Sequence, residues 1–147
     1  MTSSSATAVQ MPVPVPGTFL AGLDEHEAGA LVALGMLRRF SRGEVLIFQG
    51  EPDDRVMIVL AGRVKVARIE QDGRELMLEI RDPGDMLGEL AFIDGGPRVA
   101  TVSALEPVEA LVMPARELRA LRGLGWIRTE RRSVVVCDRD ALRARAA

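Results

Sequence analysis

The residues best suited to do chemistry lie in the stretch GELAFIDGGPRVATV, positions 88 to 102, where Glu89 and Arg98 bring opposite charges into a frame of glycines and one proline. A short helix opening at Glu89 would aim free backbone N–H groups, and the positive end of its dipole, at an anion. Arg98, fixed by Pro97 at the end of the following turn, could bring a guanidinium fork to the same anion through paired, charge-assisted hydrogen bonds. A carboxylate in such a cradle repels phosphate unless it faces another part of the ligand, and a pair of sugar hydroxyls is its natural counterpart. The implied ligand carries both phosphate and ribose. Each residue also has an ordinary structural role open to it: Gly88 a turn, Glu89 an acid in the first turn of a helix, Gly95-Gly96-Pro97 a second turn, Arg98 a surface cation.

These residues must be held by a scaffold, and the rest of the chain reads as β-rich. The first 17 residues, with Ser3 to Ser5 and Pro12, Pro14 and Pro16, bury too little to repay ordering and are expected to be a flexible lead. From Leu23, the spacing of Leu23, Ala30, Leu31, Leu34 and Leu37 predicts one helical face, with Asp24, Glu25 and Glu27 near the start where the dipole favours acids. After Phe40 come short β-type runs: Val45 to Phe48, Val56 to Leu60, then Val64, Val66 and Ile69. Asp72-Gly73 marks a hairpin, after which Leu76, Leu78 and Ile80 fall on one face, and Asp82-Pro83-Gly84 turns the chain again. Ala100, Val102 and Ala104 alternate, as do Val108, Ala110 and Val112 beyond Glu106-Pro107. Glu117 to Leu121 starts a closing helix. About eight short strands preceded by one helix predict an antiparallel roll or sandwich rather than a βαβ fold.

Composition narrows the function classes. With 147 residues, 48% hydrophobic and 27% charged, the chain is long enough for one ordinary core and reads as soluble. No apolar run approaches the roughly 20 residues of a membrane helix, and the start lacks the basic and apolar regions of a secretory signal, so a cytoplasmic protein is expected. Cys137 stands alone, which excludes an internal disulfide and an iron–sulfur cluster held by this chain's thiols. His26 falls on the polar side of its helix with no ligand-spaced partners, so no metal is expected. One histidine, one cysteine and no nucleophile elbow or P-loop leave acid–base or covalent catalysis without a constellation, and the chain is not expected to be an enzyme. Residues 115–147 hold nine arginines against four acids, whereas the preceding 114 hold ten basic and seventeen acidic residues. Such asymmetry suits either a nucleic-acid-facing end or a solvated basic surface.

Gly88-Glu89-Leu90-Ala91 followed by Pro97-Arg98-Val99-Ala100-Thr101 resembles the phosphate-binding cassette of cyclic-nucleotide-binding domains, in a form close to that of protein kinase A regulatory subunits; the same domain opens bacterial Crp/Fnr-type transcription regulators. Arg42-Gly43-Glu44, Phe48 to Asp54, Leu60 to Val66 and Asp82 to Asp85 resemble the glycine-marked turns of the same β-roll, and the resemblance covers about residues 20–122. It implies a mainly β fold with flanking helices, a jelly-roll-like double-stranded β-helix, with cAMP or cGMP as regulatory ligand. It further implies that Glu89 binds the ribose 2′-hydroxyl, that Arg98 binds the exocyclic phosphate oxygens, and that Gly88, Leu90, Ala91, Val99 and Ala100 supply backbone contacts or pocket walls. Val64 and Leu76 are candidates for its apolar side. Val99 stands where bacterial relatives carry Ser or Thr, so a hydroxyl bond to phosphate is lost while the backbone N–H remains.

The resemblance divides the chain into a lead (1–18), a nucleotide-binding domain (19–122) and a basic tail (123–147). Gly125 to Arg128, Ser133 to Val136 and Asp138 to Leu142 are similar to the wing and last helix of that family's winged-helix domain, but the long dimer helix and the recognition helix are missing. Without an element to read base edges, specific promoter binding is not expected, and the arginines could give only salt-sensitive attraction to DNA. Dimerisation is not expected without the long helix. The Val134 to Val136 strand, with no parent sheet, is expected to pack loosely or stay disordered. The leading reading is a cyclic-nucleotide sensor impaired in DNA binding; the alternative is a ligand-free β-roll that serves as scaffold or partner-binding domain.

Overall fold

The computed structural model describes residues 14–52, 55–88, 97–125, 127–130 and 133–145. The first helix, α1 (Glu25–Val32), is capped by Asp24. The Asp24 side chain accepts from Glu27 N at 2.9 Å, and Glu27 Oε1 accepts from Asp24 N at 2.8 Å, so two helix-end donors are satisfied reciprocally. The helix ends earlier than the apolar spacing predicts, and Leu37 lies on strand β1 (Met36–Phe40). Gly35 is the physical reason, because a Cβ there would stand 2.6 Å from Val112 O and 2.7 Å from Met113 Cγ. Only a bare backbone can leave α1 so close to the sheet. Arg38 and Arg39 disguise β1 in the sequence, since it is an edge strand whose arginines face solvent.

Two four-stranded antiparallel sheets follow. The first runs β1, β8 (Val108–Pro114), β3 (Arg55–Ala61), β6 (Met86–Leu87). The second runs β2 (Val45–Ile47), β7 (Thr101–Ala104), β4 (Val64–Ile69), β5 (Glu75–Arg81). The strands read from alternation at β4, β7 and β8 and the hairpin at Asp72-Gly73 form as expected, but in β5 a bulge at Leu78 sets Leu76, opposite Arg68, and Ile80, opposite Lys65, on opposite faces rather than on one, and two-residue β6 is too short to carry a period.

The unbroken apolar run of β3 has a structural cause: both faces of the strand are covered. Met57 and Val59 point into the core between the sheets with Leu46, Ile47, Val64, Leu87, Val102 and Ala110. Val56, Ile58 and Leu60 point outward, under a second layer built from α1 and α2 (Ala115–Gly123) with Leu31, Leu111, Met113, Leu118 and Leu121. A strand buried on both faces loses the polar half of its alternation.

The tail departs from expectation. Val134 to Val136 does find a partner, because β10 (Ser133–Val136) pairs antiparallel with β9 (Ile127–Glu130). The last helix, α3 (Arg139–Arg145), is tied to the N-terminal helix through Arg139, whose Nη2 also donates to Gly22 O at 3.2 Å. Its partner Glu27, read from sequence as one of several first-turn acids, is 0% exposed. The Arg139 guanidinium holds the Glu27 carboxyl below the usual range, and the bond from Asp24 N works in the same direction against the opposing effect of burial. Among the described residues no helix is long and apolar enough to cross a membrane.

Candidate functional site

The site is built at the corner where β6 ends, β3 begins and the chain enters β7. Glu27 and Arg98 are the buried charged residues among those described, and Arg98 is 4% exposed. Its main chain is fixed on both sides: Gly50 N donates to Arg98 O at 2.8 Å, and Arg98 N donates to Glu51 O at 3.2 Å. Gln49 N donates to Thr101 Oγ1 at 3.1 Å, closing the same corner one step further along. The Gln49 side chain then reaches β4, with Nε2 donating to Ile69 O at 3.1 Å and Oε1 accepting from Ile69 N at 2.7 Å. One amide thus completes a rung of sheet that no strand supplies.

From this anchored backbone the guanidinium extends beneath β6 and β3. Nη1 donates to Gly88 O at 3.1 Å, and Nη2 donates to the carbonyl of Arg55, the first residue of β3. Gly88 has φ +83°, and a Cβ there would stand 2.5 Å from Arg98 Nη1 and 2.9 Å from Arg55 O. Both the backbone sign and the contact require glycine. The guanidinium is thus held by two backbone carbonyls, and an oxyanion would offer it shorter, charge-assisted bonds than a carbonyl does.

Of the residues chosen from sequence, Gly88 and Arg98 come together, and Ala100 is buried beside them at the entrance to β7. Val99 is 62% exposed, so its side chain has no packing role. Glu89, Leu90 and Ala91 lie outside the described residues, as does the helix mouth expected at Glu89. Val64 sits in the inter-sheet core, while Leu76 is exposed on β5. Sequence reasoning placed Gln49, Gly50 and Glu51 only in a turn resembling those of the β-roll, without a role at the site, and did not single out Arg55. Three of these act through backbone atoms, which leave no side-chain signature, and the Gln49 clamp shows only once β4 is beside it.

The comparisons agree with this geometry. The cyclic nucleotide-binding domain family matches residues 37–123, more than half of the chain. A CRP-like cAMP-activated global transcriptional regulator of Mycobacterium tuberculosis is 42% identical over 81 residues, covering 55% of this chain and 36% of that protein. The cyclic AMP receptor protein of Thermus thermophilus is 28% identical over 100 residues, 68% of this chain and 46% of that one. The chain therefore spans between about a third and a half of these curated relatives. Among solved structures, the N-terminal domain of a transcriptional regulator from Streptomyces coelicolor superposes with a TM-score of 0.62 at 36% identity, covering 72% of this chain and 76% of that domain. The regulatory subunit of a cAMP-independent protein kinase A from Trypanosoma brucei gives 0.66 at 30% identity over 80% of this chain and 43% of that one. A family match across the β-roll, an experimentally solved relative covering most of both chains, and a buried arginine seated against the glycine that opens the cassette all point the same way: this chain belongs to the cyclic nucleotide-binding domain family.

Proposed function

We propose that the chain is a cytoplasmic cyclic-nucleotide sensor of the Crp type, with cAMP or cGMP as its ligand. The observation that carries the reading is the buried Arg98 guanidinium, poised against Gly88 one residue before Glu89. In this reading the guanidinium exchanges its carbonyl partners for the exocyclic oxygens of a cyclic phosphodiester, and Glu89 takes the ribose 2′-hydroxyl. Gly88, Leu90, Ala91, Val99 and Ala100 form the surrounding backbone and wall. The arginines of the basic tail give salt-sensitive attraction to DNA without sequence preference. The ligand acts by binding and is not turned over.

Calorimetric titration of the chain with cAMP, and of Arg98→Leu alongside it, tests the assignment. Losing one partner of a desolvated charged pair costs about 2–5 kcal/mol, enough to move micromolar affinity toward millimolar. Unchanged affinity in the variant refutes the phosphate role. A second reading, a roll that binds no nucleotide and serves as a scaffold, is favoured by the exposed and hydroxyl-free Val99.

A further inference from the structure

We infer, on the reading of the chain as a nucleotide sensor, that Gln49 is a positioning residue for the ligand: without touching the nucleotide, its carboxamide sets where Arg98 stands and thereby how tightly the cyclic phosphate is held. Among the described residues β4 and β7 pair from Val64–Ala104 to Ala67–Thr101. Beyond that rung the chain that carries Arg98 leaves the ladder, and its guanidinium goes to the carbonyls of Gly88 and Arg55. Ile69, further along β4, is opposite Glu75 of β5, yet its own N–H and C=O turn the other way, toward the side that β7 has left. A backbone donor and acceptor that lose their strand need other partners. The Gln49 carboxamide supplies one of each and fills the vacated rung.

The same residue governs the segment that left. Its own N–H donates to Thr101 Oγ1, where that segment begins, and the next two residues, Gly50 and Glu51, bond the Arg98 main chain on both sides. Apolar packing does not hold this corner. Phe48, Gly50, Glu51 and Pro52 are exposed, as are Pro97 and Val99, so that only Gln49 and Arg98 are shielded in the two crossing segments. Hydrogen bonds therefore fix it, and those of the Gln49 side chain are the ones that tie it to the body of the second sheet.

A segment with few buried apolar contacts and solvent-facing hydrogen bonds opens at low cost. Without the carboxamide, residues 48–51 are released from Ile69, and the Arg98 main chain, bonded to them, is released with them. The guanidinium must then be ordered each time a ligand arrives, and ordering a long side chain on binding lowers affinity. Methionine at position 49 has about the length of glutamine but no amide, so it removes the two side-chain bonds while keeping the bulk.

Calorimetric titration of the full chain and of Gln49→Met with cAMP, together with amide hydrogen exchange followed by NMR on both proteins without ligand, tests it. In the variant cAMP binds about tenfold more weakly, equivalent to the net worth of one hydrogen bond. The amides of Gly50, Ile69 and Arg98 exchange faster by a similar factor, while those of β3 and β8 keep their wild-type rates and show that the fold is intact. Faster exchange at Ile69 alone, with Gly50, Arg98 and cAMP affinity unchanged, makes the clamp a brace of the sheet only and overturns the proposal. A wild type that binds neither cAMP nor cGMP overturns the sensor reading instead. Exchange at Gly50 and Arg98 then decides the positioning by itself: faster rates in Gln49→Met uphold it, and unchanged rates overturn it.

Discussion

Both oxygens of the buried Glu27 carboxylate face one edge of the Arg139 guanidinium, with Nε donating to Oε2 at 2.5 Å and Nη2 to Oε1 at 2.5 Å across 112 positions of sequence. The same Oε1 completes the cap of α1, so one carboxylate serves both the start of the first helix and the attachment of the last. Its pKa is lower in the folded protein than in the unfolded chain, which ties stability to its charged form. That contribution is complete above the unfolded value of about 4.3 and is lost as the pH falls through the folded value. Arg139→Ala is therefore expected to melt below the wild type at neutral pH, with the gap closing as the pH is lowered from about 7 to about 3. Thermal scans across that range check it; a gap independent of pH would show that the pair adds nothing through its charge.

Gly88→Ala should damage stability and ligand binding together. The new methyl group meets Arg98 Nη1 and Arg55 O while the backbone stays at a φ that L residues avoid, and strain of this kind costs about 1–3 kcal/mol. Because the guanidinium must move, cAMP affinity measured by calorimetry falls with the melting temperature. An alanine variant that melts lower yet binds cAMP as the wild type does would separate the glycine from the site.

Val99→Ser is expected to act in the opposite direction. The position is exposed, so the fold is unaffected, and a hydroxyl there restores one donor to a charged acceptor. A gain of about tenfold in cyclic-nucleotide affinity corresponds to one such bond. Titration of both proteins under the same salt conditions decides it, and equal affinities would place the phosphate elsewhere.

Sensor and scaffold readings separate in a melting experiment. Ligand at about 100 times its dissociation constant adds about 2.7 kcal/mol to the folded state, and the shift is expected for the wild type but not for Arg98→Leu. No shift with either cAMP or cGMP would support the ligand-free scaffold.

Particular residues show how far the sequence could be read. Alternation revealed β4, β7 and β8, and the Asp72-Gly73 turn revealed the β4–β5 hairpin, because these features are set by local periodicity and backbone preference. β1 was hidden because Leu37 sits at helical spacing from Leu34 and Leu31, and the strand forms only where Gly35 lets the chain press on β8. Arg98 and Gly88 could be paired from their motif, while the carbonyl of Arg55 that receives the guanidinium could not, since any residue offers a carbonyl. Glu27 looked like its acidic neighbours. Its role comes from Arg139, a contact that no local window contains.

The rung supplied by Gln49 has a consequence for how the pocket corner behaves in acid. A glutamate in its place would meet Ile69 O with a second acceptor and would change character on protonation, whereas a carboxamide offers donor and acceptor at every pH a cell reaches. The brace beside Arg98 is thus blind to acidity, even as the clasp joining the two ends of the molecule loosens with it.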